Sequence, residues 1–128
     1  MQNNKVLIVD DEPDRMKLMS TWFAYIRGYE VVLERSGPAA KKRLELGERF
    51  SLAISAFEMR HVSGKEIADQ VKSLDPHAKT LLVTSAHPSL LCELSRCKSV
   101  DGLITVDDFV SREGGWAQKI SACLPKFQ

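Results

Sequence analysis

The run Lys5-Val-Leu-Ile-Val9 passes straight into Asp10-Asp11-Glu12, and Pro13 then opens a helical pattern. A short Val- and Ile-rich run of this kind reads as a strand buried on both faces, which favours a parallel sheet covered by helices. Carboxylates at its end would sit at the carboxyl edge of such a sheet, where open α/β folds place their ligands. Three adjacent like charges repel one another, so the cluster is either a solvated turn or a cation site. These residues alone leave both readings open.

The same grammar continues along the chain. Strand one covers Lys5–Asp10, and helix one starts near Pro13, a residue suited to a first helical position because it has no N–H to leave unpaired. Met16, Met19, Trp22, Phe23 and Ile26 form its apolar face, and Gly28 stops it. Tyr29–Leu33 is a second strand, nearer an edge. Ser36-Gly37-Pro38 turns into helix two, with Ala39, Ala40 and Leu44 inward and Gly47 at its end. Phe50–Ala56 is strand three, and Glu58–Ser63 is a loop. Helix three opens at Gly64, carries Ile67, Ala68, Val71 and Leu74, and breaks at Asp75-Pro76. Lys79–Ser85 is strand four. His87-Pro88-Ser89 starts a fourth helix carried by Leu90, Leu91, Leu94 and Cys97. Asp101–Val106 is strand five. Asp107, Asp108, Gly114 and Gly115 mark a loose loop or ragged helix start before a last helix bearing Trp116, Ile120, Cys123 and Leu124.

Five strand–helix units with short connections imply an α/β fold with a parallel five-stranded sheet and helices on both faces. Right-handed crossovers put all strand carboxyl ends on one edge, so Asp10, Asp11, Ala56, Ser85 and Val106 gather at one mouth if strands one, three, four and five are neighbours, an order that the sequence itself does not show. The 128 residues suffice for one domain with a core, and 44% apolar against 27% charged residues is ordinary for a soluble protein. A net charge of +1 supplies no field that would draw nucleic acid or anionic lipid. No apolar run approaches the roughly 18 residues of a membrane span, and the N-terminus lacks a signal-peptide core. Cys92, Cys97 and Cys123 lack metal or redox spacing and read as reduced, mostly buried residues of a cytoplasmic protein. His61, His77 and His87 read as exposed loop residues, and Lys41-Lys42-Arg43 as the solvated face of helix two.

Val9-Asp10-Asp11-Glu12-Pro13, Ser36-Gly37 with Ala40, Met59 with Gly64, Thr84-Ser85-Ala86 and Asp101-Gly102 together resemble the receiver domain of bacterial two-component response regulators, over essentially the whole chain. The resemblance implies a flavodoxin-like strand order 2-1-3-4-5. It also implies an acidic pair that holds Mg²⁺, a third Asp ending strand three that takes a phosphoryl group from a histidine kinase, a Ser or Thr on strand four and a Lys on strand five. A carboxylate attacking phosphorus approaches a negatively charged group, so the cation and the ammonium are physically required.

Carried over residue by residue, Asp10 and Asp11 match the acidic pair and Ser85 the switch hydroxyl. The phosphoacceptor position falls on Ala56, the Lys position on Val106 and the switch aromatic on Leu103, and the usual loop Pro is Arg60. The expectation is a single receiver-like domain, not an enzyme, cut or not from a longer regulator. It would lack phosphorylation on Asp and act in signalling through protein–protein contacts. The partners implied are a histidine kinase, an output domain, or a second copy met through the surface of helix four, strand five and helix five, with no nucleic acid and no membrane. No cofactor is required, and Mg²⁺ would be held only weakly by Asp10 and Asp11. The pocket acids are Asp10, Asp11, Glu12 and Glu58. Arg60 or another nearby cation would offset them, and Glu58 could imitate a phosphorylated aspartate. Two alternatives remain: phosphorylation at a non-standard residue such as Glu58, and a flavodoxin-like small-molecule-binding or enzymatic domain. The acids stand against the latter, since they would repel a flavin phosphate.

Overall fold

The computed structural model describes residues 4–26, 28–85, 91, 93–94, 96–110 and 115–124. Five parallel strands, β1 (Lys5–Val9), β2 (Glu30–Glu34), β3 (Leu52–Ala56), β4 (Lys79–Thr84) and β5 (Gly102–Thr105), form one sheet in the order β2-β1-β3-β4-β5. β1 and β3 lie inside, and every residue from Val6 to Val9 and from Leu52 to Ala56 is buried. That is why both read as unbroken apolar runs. β2 is an edge strand and shows the mixed exposure its sequence suggested.

Alternate residues feed two cores. Val6, Ile8, Leu52, Ile54, Leu81, Val83 and Ile104 meet Met16, Met19 and Phe23 of α1 (Pro13–Ala24) and Trp116 and Ile120 of the last helix, α5 (Gly115–Cys123). Leu7, Val9 and Ala53 meet Ala40 and Leu44 of α2 (Gly37–Glu45) and Ile67 and Val71 of α3 (Gly64–Leu74) on the other face. Leu82 packs with Ala68, Leu94 and Val100 in a third cluster, to which the half-buried Leu103 and Cys97 add. The helices start where side-chain oxygens satisfy their first N–H groups. Glu12 accepts from the Asp14 N–H, Ser36 from the Ala39 N–H and Ser63 from the Glu66 N–H. Gly47, at φ +87°, follows the end of α2 in a left-handed conformation that favours glycine.

Several expectations need correction. α1 ends at Ala24, short of Gly28, and β3 begins at Leu52, not Phe50. Val106 does not end strand five. β5 stops at Thr105, and Val106–Val110 forms a short helix, α4, where a loose loop or ragged helix start was expected. The Asp108 carboxylate accepts from the Thr105 N–H at 2.8 Å and the Lys119 ammonium at 3.0 Å, while Phe109 stacks on Trp116 at 5.4 Å. These ties hold the turn helical against the strand preference of its two valines. Cys97 and Cys123 are free but only half-buried. The starting residues of the expected fourth helix (His87, Pro88, Ser89 and Leu90), together with Cys92 and Gly114, lie outside the described residues; Leu91 and Leu94 are helical. His61 and His77 are exposed, and His61 takes a positive φ of 71° that nothing in the sequence announced.

Candidate functional site

The carboxyl ends of β3 and β4, with the start of α4, frame a cleft of about 200 Å³ lined by Arg15, Ala56, Glu58, Val83, Thr84, Ser85 and Val106. Ala56 is the last residue of β3, is 2% exposed and pairs with Val83. Its position is held from the other side by Gly64. The Gly64 N–H donates to the Phe57 carbonyl at 2.9 Å, and a Cβ on Gly64 would lie 2.3 Å from the Ala56 carbonyl oxygen. Only glycine permits this approach of α3 to the end of β3. Ser55, the neighbouring hydroxyl, donates to the Ala56 carbonyl at 2.9 Å and is not among the cleft-lining residues.

The acids do not share one pocket. The Asp10 side chain is fully buried at the end of β1. Asp11 is exposed and lines a separate recess with Arg35, Ser36, Gly37, Met59 and Arg60. Glu12 turns to cap α1, accepting from the Asp14 N–H at 3.0 Å. Glu58 reaches the main cleft, where it accepts a hydrogen bond from Ser85 Oγ at 3.2 Å. Both are exposed, so the contact adds little stability. Leu103, the switch-aromatic position, is half-buried against Leu82 and Leu94.

The expected counter-charge was Arg60 or another nearby cation; for Asp10 it is Arg15, while Arg60 shares the recess of Asp11. Arg15 Nε donates to Asp10 Oδ2 and Nη2 to Asp10 Oδ1, each at 3.0 Å, while Oδ1 also accepts the Glu12 N–H at 2.9 Å. The hydrogen bond to Asp10 raises the Arg15 pKa despite the opposing effect of burial, and the charges of Asp10, Glu12 and Asp11 add to it. Two parallel charge-assisted bonds make this a strong and geometrically specific pair. The sequence carried one signal for it. A cation in the first turn of a helix opposes the macrodipole, which favours acids there, so Arg15 needs a local reason to be present.

Mg²⁺ demands oxygen ligands in close octahedral geometry, with carboxylates among them. Both Asp10 oxygens are already engaged by a guanidinium, Glu12 serves a helix cap, and Ala56 brings no oxygen from its side chain. Among the described residues no group of three or more His, Cys, Asp or Glu is placed to hold a metal. As arranged, the residues do not fit the ion.

The architecture, a 2-1-3-4-5 parallel sheet with an acidic residue buried at the end of its first strand, defines a flavodoxin-like α/β domain. Comparison with known proteins narrows this. The family described as the response regulator receiver domain matches residues 6–100, and the chain belongs to that family. The response regulator protein TrrA from Thermotoga maritima, determined in complex with Mg²⁺–BeF, is similar at 25% identity and TM-score 0.73, over 94% of this chain and 99% of that one. A CheY-like receiver domain protein from Methanospirillum hungatei shares the fold at 21% identity and TM-score 0.76, over 94% and 93% of the two chains. An adenylate cyclase structure from Rhodopirellula baltica shares it at 19% identity and TM-score 0.77, over 95% and 87%. No curated protein sequence is significantly similar to the chain. Receiver domains are signalling domains, and no helix among the described residues is long and apolar enough to cross a membrane.

Proposed function

We propose that this receiver domain is not phosphorylated on aspartate and signals by binding other proteins. The observation that carries the reading is Ala56, buried at the end of β3 and lining the cleft. A methyl group supplies no nucleophile, and the close packing of Gly64 on the Ala56 carbonyl argues against a shifted register that would put another residue there. Val106 supports it, since an apolar side chain on the cleft cannot neutralise a transferred phosphoryl group. The partner would be a histidine kinase, an output domain or a second copy. It would be met on the side of β5 and α5, where Val110 of α4 is 78% exposed. The protein would act in the cytoplasm and need no cofactor.

The test is the intact mass after incubation with Mg²⁺ and phosphoramidate, with beryllofluoride as a second probe. The expected result is no phosphoryl adduct, and a stable adduct would sink the reading. One alternative acceptor has a specific observation in its favour, because the Glu58 carboxylate lines the same cleft. An adduct that disappears in Glu58→Gln would establish it.

A further inference from the structure

We infer that Arg15 stands in for a divalent cation at this mouth, as a built-in counter-charge that makes the site metal-independent and keeps metal out. The guanidinium spans both Asp10 oxygens, at 3.0 Å each, in the side-by-side geometry that makes such pairs specific. A carboxylate offers about four lone-pair directions. Three are used here, the third by the Glu12 N–H at 2.9 Å. The Asp10 side chain has no exposure, whereas the Arg15 side chain keeps 24%. Of the pair, only the arginine is therefore in contact with water, and the carboxylate has no open face of its own.

A divalent ion entering this site would have to displace a bidentate guanidinium. It would also have to shed water for a donor set that lacks a third acid, and magnesium dehydrates reluctantly without strong ligands. The remaining acids do not compensate, because Glu12 is committed to its cap and Asp11 faces the recess beside Arg35 and Arg60. Placing an arginine in the first turn of a helix works against the helix dipole. The ion pair with Asp10 supplies the offsetting interaction, and it gives position 15 a role in neutralising the mouth. The inference goes beyond the phosphorylation reading and can fail while that reading stands, since metal binding and phosphoryl transfer are measured separately.

The experiment titrates Mn²⁺ into the whole chain and reads water-proton relaxation, alongside thermal unfolding with and without Mg²⁺. The forms compared are the wild type, Arg15→Ala and Arg15→Ala/Asp10→Asn. The wild type should show no bound Mn²⁺ and no thermal response through the millimolar range. Arg15→Ala should bind Mn²⁺ at least about tenfold more tightly and gain thermal stability from Mg²⁺, because ligands freed from the guanidinium become available to the ion. The double variant should lose both responses. Should Arg15→Ala fold only when Mg²⁺ is added, that rescue would support the inference directly. Millimolar metal binding by the wild type would overturn it. So would an Arg15→Ala protein that folds without gaining metal affinity, or one that Mg²⁺ cannot rescue.

Discussion

Replacing Arg15 by alanine probes the interaction on which the mouth depends. Asp10 is fully buried and its charge is offset within the described structure by Arg15, with one further hydrogen bond from the Glu12 N–H. Removing one member of a buried ion pair costs about 3–5 kcal/mol, because the remaining charge is stranded away from water. The Arg15 side chain is 24% exposed, so water can enter part of the space it leaves, and the lower end of that range, about 3 kcal/mol, is expected. For a domain of 128 residues this lowers Tm by about 12 °C. Urea unfolding of the wild type, Arg15→Ala, Asp10→Asn and the double variant, in buffer containing EDTA, completes a double-mutant cycle. A coupling of about 2 kcal/mol is expected, with the double variant more stable than Arg15→Ala alone. The reasoning is refuted if Arg15→Ala costs less than about 1 kcal/mol, the value of an exposed pair, and Asp10→Asn gives it no relief.

Gly64→Ala should cost about 3 kcal/mol or prevent folding. The new Cβ would lie 2.3 Å from the Ala56 carbonyl oxygen and 2.9 Å from the Phe57 Cα, both backbone atoms that cannot move aside cheaply; chemical denaturation measures it. Stability should decline in acid. Burial pushes the Asp101 carboxyl up, but the Lys72 ammonium and the Thr80 N–H outweigh it, and the net pKa is lowered. A depressed folded-state pKa gives stability that is complete above the unfolded carboxyl value, near about 4, and is lost as pH falls through the folded value. Asp101→Asn should therefore narrow its deficit to the wild type below about pH 4, as followed by urea midpoints across pH. Ala56→Asp/Val106→Lys should remain unphosphorylated by phosphoramidate while Arg15 is present. Adding Arg15→Ala should allow a Mg²⁺-dependent phosphoryl adduct, detected by intact mass, and an adduct on the double variant would contradict the order of dependence.

The fold was readable because its signals are local. β1 and β3, buried on both faces, force continuous apolar runs, and Ser36 and Ser63 announce helix starts through their own side chains. α4 was not readable. Val106-Asp-Asp-Phe-Val110 has two strand-preferring valines, and the contacts that make it helical come from Trp116 and Lys119, in the following helix and beyond the reach of the segment's own pattern. The mouth was legible only in part. Ala56 and Val106 follow from counting along a resemblance, and both do line the cleft. The Arg15–Asp10 pair spans a strand end, a turn and the first turn of a helix, so neither a period of two nor one of 3.6 would reveal it. The acidic run misled for a related reason. Three adjacent carboxylates look like one site, but the change from extended to helical backbone at Pro13 sends them to three different tasks.

Charge balance connects the missing groups at this mouth. A site built from three carboxylates carries more negative charge than one guanidinium can offset, and a divalent ion with several carboxylate oxygens is the natural solution. With Ala56 in place of an acid, the charge buried at the strand ends reduces to Asp10, because Asp11 is exposed and Glu12 caps α1. One guanidinium then matches one buried carboxylate, and its planar fork satisfies both oxygens, which a lysine ammonium could not do. Arg15, Ala56 and Val106 line one cleft, and the proposed reading ties the identities of the three together. On the proposed reading, a chain without an acid at 56 forms no acyl phosphate there for a lysine at 106 to bind, and carries no surplus charge that requires a metal. On that reading an arginine at 15, which would compete with metal in a working phosphoryl-transfer site, becomes the partner that satisfies both oxygens of the buried Asp10 side chain.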